Sequence, residues 1–142
     1  MPCQTFDNLC HLLSIVIQPN DAIDHDDTLS RWSSDQWEAV IALASRQLVL
    51  PSIAARLATD GTCAAMDPSL HAFFQEIHAG NIRRNGALLG QVDQICARAN
   101  QLAIRPILLK GAAHLASNLY GDLGARYVSD IDILVDDDEQ DR

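Results

Sequence analysis

The sequence predicts an α/β (α+β) protein with a helical N-terminal region over residues 1–100, then one strand–helix–strand unit over 101–142. Three observations predict it. Apolar residues recur at three- and four-residue intervals between Trp37 and Ala99, the spacing of helix faces. From Gln101 the pattern changes to Ile104-Arg105-Pro106-Ile107-Leu108-Leu109, an apolar run of strand length, and later to Val128–Val135, which alternates with period two. Between these runs, Gly111–Leu119 is rich in Ala and places Leu115 and Leu119 at helical spacing. A chain of 142 residues has room for one compact domain, or for one and part of a second.

Each element has its own signal. Residues 1–32 combine an apolar stretch with the acidic run PNDAIDHDD, which reads as a short helix and a loop. Ser33-Ser34-Asp35-Gln36 has the S-x-x-Q spacing of a capping box, and Trp37, Val40, Ile41, Ala44 and Leu48 carry a helix from about residue 34 to 48. Pro51 suits the first turn of a further helix through Ile53 and Leu57, which runs out at Asp60-Gly61. Asp67-Pro68 is a cap followed by Pro at the first helical position. The helix or broken helix it opens reaches about residue 99, with one stripe at Leu70, Phe73, Phe74 and Ile77 and another at Leu88, Val92, Ile95 and Ala99. Gly80, Gly86 and Gly90 weaken its middle. Tyr120–Gly124 reads as a loop, with Tyr120 closing a core.

Composition narrows the function. The chain carries 19 acidic against 10 basic residues, a net charge of −9, with the basic ones scattered. That argues against sequence-independent nucleic-acid binding, which needs an electropositive footprint. No apolar stretch approaches the roughly 18 residues of a membrane helix, and the run Leu12–Ile17 lacks the basic flank of a secretory signal. Cys3, Cys10, Cys63 and Cys96 lie far apart without metal-ligand spacing, so four reduced thiols in a cytoplasmic protein are expected.

The chemistry concentrates at Val128-Ser129-Asp130-Ile131-Asp132-Ile133-Leu134-Val135. In a strand, residues two apart share a face, so Asp130 and Asp132 project together. Like charges so close repel unless a cation lies between them. Their apolar neighbours argue for an interior strand, where unpaired carboxylates are costly. Hard carboxylate oxygens suit Mg2+, and metals held this way stabilise attack on phosphorus. The first strand also runs into Lys110-Gly111 and a helix whose first turn offers N–H groups to an anion.

The stretch LLKGAAHLASNLYGDLGARYVSDIDILV, residues 108–135, resembles the signature of the uncharacterised bacterial nucleotidyltransferases of the polymerase-beta-like superfamily. An apolar strand leads into Lys-Gly, a helix follows, then a Tyr-containing loop, an Arg, and Ser-Asp-Ile-Asp. The resemblance implies a nucleotidyltransferase-type mixed sheet, with Asp130 and Asp132 as metal ligands and Gly111 admitting the phosphates. It makes Lys110 and Arg126 candidates for phosphate contacts, and Ser129 a residue that shapes the approach to the metals. Each also has an ordinary reading: Lys110 as a strand-end lysine in water, Arg126 as the ion-pair partner of Asp122 or Asp130. Two departures stand out. Ala112 occupies the position that is usually a phosphate-contacting Ser in the wider superfamily, and the separation from Gly111 to Asp130 is longer than in the smallest members.

The implied activity is Mg2+-dependent transfer of a nucleotidyl group from a nucleoside triphosphate to an unidentified acceptor. A third carboxylate on a later strand is expected and has no extended candidate after Val135. Asp136, Asp137, Asp138, Glu139 and Asp141 read as a solvated acidic terminus. The core is therefore expected to be incomplete at the C-terminus, as in a truncated product or fragment, and this chain to be weakly active or inactive. Its two strands would lean on the helices or on a partner chain completing the sheet. The alternatives are a non-catalytic nucleotide- or metal-binding interaction module, a related phosphotransferase, and a helical structural protein with a surface Asp pair.

Overall fold

The computed structural model describes residues 2–17, 28–59 and 66–136. Helix α1 spans Pro2–Val16 and buries Leu9, Leu12 and Ile15 along one face. A 3-10 turn at Leu29–Arg31 leads to α2, Ser34–Arg46. The capping box forms as expected: Gln36 N donates to Ser33 Oγ at 3.3 Å, and Ser33 N donates to Gln36 Oε1 at 2.9 Å. Two N–H groups with no helical partner are thereby satisfied. Ser33→Ala is expected to cost about 1 kcal/mol, read as a lowered denaturation midpoint at constant slope. An unchanged midpoint would mean that water replaces the cap.

Helix α3, Leu50–Thr59, carries Pro51 in its first turn and buries Ile53, Ala54 and Leu57. The Asp60-Gly61 turn, the PNDAIDHDD run, Cys63 and the acidic terminus from Asp137 lie outside the described residues. Helix α4, Pro68–Gln101, opens with Asp67 Oδ1 accepting from Ser69 N at 2.8 Å. It is continuous for 34 residues, not broken at its glycines. Its buried stripe is Phe74, Asn81, Asn85 and Val92, spaced 7, 4 and 7. The glycine-interrupted middle thus turns two polar residues, Asn81 and Asn85, inward.

The core joins α1, α2, α3 and the first part of α4 around Leu12, Val40, Ile53, Leu57 and Phe74. Burying each of these large side chains contributes roughly 1.5–3 kcal/mol. A ring series Trp32–Trp37–Phe74 crosses the core, with centroids 4.9 and 5.9 Å apart. Among the described residues, no helix is long and apolar enough to cross a membrane.

Helices α2, α4 and α5, the last spanning Lys110–Ala116, end without the glycine that marks many C-termini. Leu48 and Ala103 take positive φ (59° and 58°), and Asn118 does the same after α5 (50°). The following N–H returns to the helix each time: Val49 N to Ala44 O, Ile104 N to Ala99 O, Leu119 N to His114 O. These are Schellman closures built on ordinary side chains. They end α2 at Arg46 and α5 at Ala116, short of the sequence expectation.

Strand β1 is Ile107–Leu109, helix α5 is Lys110–Ala116 and strand β2 is Asp132–Leu134. The strands pair antiparallel, Ile107 with Leu134 and Leu109 with Asp132. Both are shorter than the runs in the sequence. Pro106 brings no N–H to a ladder, which ends β1 at Ile107. At the other end Val128, 4% exposed, packs on Gly111 and draws the chain before β2 toward α5. Asp130 therefore lies ahead of the strand on which alternation placed it.

Candidate functional site

A cleft of about 850 Å³ lies between α3, the start of α5 and the segment from Tyr120 to Asp132. Lys110, Gly111, Arg126, Ser129, Asp130 and Asp132 all line it. The six residues singled out from the sequence thus meet at one place.

Lys110 sits at the β1–α5 junction with φ 48°, in the left-handed region that a lysine visits only at a cost. Unlike the three helix-end residues, it closes no helix. Because Leu109 pairs with Asp132, this turn sets Lys110 beside that carboxylate, and Nζ lies 2.9 Å from Asp132 Oδ2. Hydrogen bonding and Coulomb attraction from Asp132, with a smaller contribution from Asp130, raise the Lys110 pKa above its ordinary value. A raised lysine pKa means that on the basic side the ammonium, and with it the pair, is lost only as pH rises through the shifted value. Near neutrality, a competing cation can break this pair and pH cannot.

Asp130 is exposed, and Ser129 Oγ donates to its Oδ1 at 2.8 Å. Ser129 therefore orients a carboxylate directly. Gly111 is needed for packing: a Cβ there would stand 2.8 Å from Val128 Cγ1. Ala112 is 1% exposed and faces inward, which accounts for the missing serine. Helix α5 has seven residues, too short to build up the dipole that an anion-binding helix end draws on.

Arg126 pairs with neither Asp122 nor Asp130. Its Nη1 donates to His114 Nδ1 at 2.9 Å and to Tyr120 Oη at 2.6 Å. Accepting at Nδ1 requires a neutral imidazole with its proton on Nε2. Both partners are then uncharged, and the guanidinium keeps its full positive charge in the cleft. Tyr120 does not close a core: it is 45% exposed, its ring meets His114 edge-on, and its hydroxyl holds Arg126.

The residues that sequence reasoning missed are those that build the loop before Arg126. Asp122 accepts from Gly124 N at 2.7 Å and pairs with His78 Nε2 at 2.9 Å. Asn81 Nδ2 donates to the carbonyls of Gly124 and Arg126, and Asn85 Nδ2 to those of Leu123 and Arg126. Ser52 of α3 donates to the Ala125 carbonyl at 2.6 Å. Four consecutive carbonyls are thus satisfied by side chains from the helices. The signal was present as two asparagines occupying the phase of an apolar stripe, where a buried polar group without partners costs about 1–3 kcal/mol.

Asp130 and Asp132 supply hard oxygens on one side of the cleft, and a lysine ammonium already occupies a cation's place beside Asp132. Among the described residues, no group of three His, Cys, Asp or Glu side chains could hold a metal. The donor set fits Mg2+ of the kind bound by one or two carboxylates together with substrate phosphates, and not a preformed cage.

A family model described as an uncharacterised nucleotidyltransferase matches residues 33–142. No curated protein and no solved structure matches the chain.

Proposed function

The chain belongs to the uncharacterised nucleotidyltransferase family, and from that premise we propose that the cleft binds a nucleoside triphosphate with Mg2+ and transfers its nucleotidyl group to an acceptor hydroxyl or phosphate. The observation that carries this reading is the meeting of Asp130, Asp132, Lys110 and Arg126 in one cleft, with carboxylates and cations both present. In the reaction the acceptor oxygen forms a bond to the α-phosphorus, the bond from that phosphorus to the bridging oxygen breaks, and pyrophosphate leaves. The acceptor gives up its proton if it is a hydroxyl.

Asp130 and Asp132 would hold the cation, with Ser129 keeping the Asp130 carboxylate turned toward it. Bound there, Mg2+ would neutralise charge on the phosphate oxygens. With Asp132 engaged by a cation, the Lys110 ammonium would be free to contact the triphosphate. Arg126 offers a planar, fully charged fork of donors suited to phosphate oxygens. Gly111 keeps the β1–α5 corner narrow enough for Val128 to seat the segment that leads to Asp130. The free thiols of Cys10 and Cys96 suit a reducing, cytoplasmic setting.

The test is isothermal titration of each of the four common ribonucleoside triphosphates, with and without Mg2+, followed by product analysis with candidate acceptors. Mg2+ alone should bind weakly, and triphosphate with Mg2+ at least about tenfold more tightly than triphosphate without it, since two carboxylates are a partial ligand set. Pyrophosphate as product supports nucleotidyl transfer, whereas a nucleoside diphosphate would reassign the chemistry to phosphotransfer. Absence of any Mg2+-dependent binding would sink the proposal.

A further inference from the structure

We propose that Asn81 and Asn85 of α4 are positioning residues for nucleotide binding, acting through the backbone of Arg126. This rests on the reading of Arg126 as a phosphate contact. Both side chains are buried, Asn81 at 5% and Asn85 at 0% exposure, and both donate to the same acceptor, the Arg126 carbonyl, at 2.9 and 2.8 Å. Each spends its second N–H on a carbonyl earlier in the same loop, Gly124 for Asn81 and Leu123 for Asn85, at 2.7 Å. The Oδ1 of Asn85 is left buried with no hydrogen-bond partner. An apolar pair would leave the Leu123, Gly124 and Arg126 carbonyls without these donors, so the two asparagines attach the loop, and they converge on Arg126. What they add is a fixed position and direction for one backbone carbonyl.

The consequence lies at the other end of the same residue. With the Arg126 backbone held by α4 and its guanidinium held by His114 and Tyr120, the arginine is ordered at both ends before any ligand arrives. Tyr127, the next residue, is held from the same helix by Arg84, whose guanidinium carbon lies 4.4 Å from the ring centroid. A preorganised arginine avoids the ordering cost that a free one would meet on binding triphosphate.

A double-mutant cycle tests this. Asn81→Asp preserves side-chain volume but sets a carboxylate oxygen against the two carbonyls; Arg126→Ala removes the guanidinium. Kd for ATP with Mg2+ is measured by titration for wild type, each single variant and the double variant. Titration stoichiometry and the melting temperature separately report the folded fraction. Arg126→Ala should weaken binding by about tenfold or more, the scale of a lost hydrogen bond to a charged group. Asn81→Asp should weaken it to a similar degree at unchanged stoichiometry, and the double variant should bind no more weakly than Arg126→Ala.

If Asn81→Asp lowers only the melting temperature or stoichiometry, or if the two effects multiply, the inference is overturned and the nucleotidyltransferase reading stands. If Arg126→Ala leaves Kd unchanged while the Asp130 and Asp132 variants lose binding, the inference also falls alone. Failure of the wild type to bind any triphosphate removes both. Should Asn81→Asp not fold, Asn81→Ala deletes the donors without adding charge and enters the same cycle.

Discussion

Replacing Asp130 and Asp132 together by Asn is expected to reduce Mg2+-dependent triphosphate affinity by at least about 100-fold, close to 2.7 kcal/mol. Amide oxygens are neutral, and the change removes both hard anionic ligands from the cleft. The single variant Asp132→Asn makes a sharper case, because Asp132 also holds Lys110 at 2.9 Å. Losing that carboxylate frees Lys110 and leaves one anion fewer against the two cations, Lys110 and Arg126, that face the same space. Triphosphate binding without Mg2+ should therefore rise while binding with Mg2+ falls. Loss of folding would lower both, so opposite movement of the two affinities separates loss of the ligand from loss of structure. Titrations with and without Mg2+ at fixed ionic strength would measure it, since contacts of this kind are screened by salt. Equal affinities in wild type and variant under both conditions would show that the carboxylates are surface charge.

Gly124→Ala is expected to be the most damaging of the simple glycine substitutions. A Cβ at Gly124 would overlap the His78 imidazole and stand 2.9 Å from Ile82 Cγ1. The loop cannot retreat freely, because the carbonyls on both sides of this residue are tied to Asn81, Asn85 and Ser52. Overpacking of this kind costs about 1–3 kcal/mol, read from denaturant unfolding. The His78–Asp122 pair should break with it, and Mg2+-dependent affinity should fall as Arg126 loses its mounting. Gly90 supplies the contrast within the same experiment: it lies inside α4, and a Cβ added there would meet nothing within 4 Å. Gly90→Ala should stabilise by about 0.4–1 kcal/mol through the reduced entropy of the unfolded chain. Comparable destabilisation by both would mean that the Gly124 contact has no special weight.

Much of this protein is legible residue by residue. Ser33 with Gln36, and Asp67 with Ser69, mark helix starts through hydrogen bonds that span two or three residues, and Pro68 adds a fixed φ in the first turn. The carboxylate pair is also legible by its two-residue spacing, but the interior strand its apolar neighbours argued for is not found: Asp130 is exposed and Leu134 is 51% exposed, because the short two-stranded sheet is left uncovered there. Helix ends at Leu48 and Ala103 are harder to read, because left-handed closure on a non-glycine residue leaves no compositional mark. The shortness of β2 is hidden for a related reason. Alternation at 128–135 shows that two faces differ, but not that a neighbouring strand pairs along the whole run.

What the sequence determined by itself was set by interactions between residues a few positions apart: the helical region and the order of strand, helix and strand. Lys110, Gly111, Arg126, Ser129, Asp130 and Asp132 were grouped as candidates by a motif and a resemblance, not by such interactions. The tertiary structure alone decided how that group is arranged. Lys110 faces Asp132 because Leu109 and Asp132 are paired across the sheet. Arg126 is held by His114 and Tyr120 instead of by an aspartate, and its backbone is fixed by asparagines 41 and 45 residues earlier. Contacts over such separations form only when α4 packs beside the loop. Local periodicity cannot encode them, because a buried Asn and a buried Leu occupy the same phase of a helix and differ only in what the far side of the interface offers.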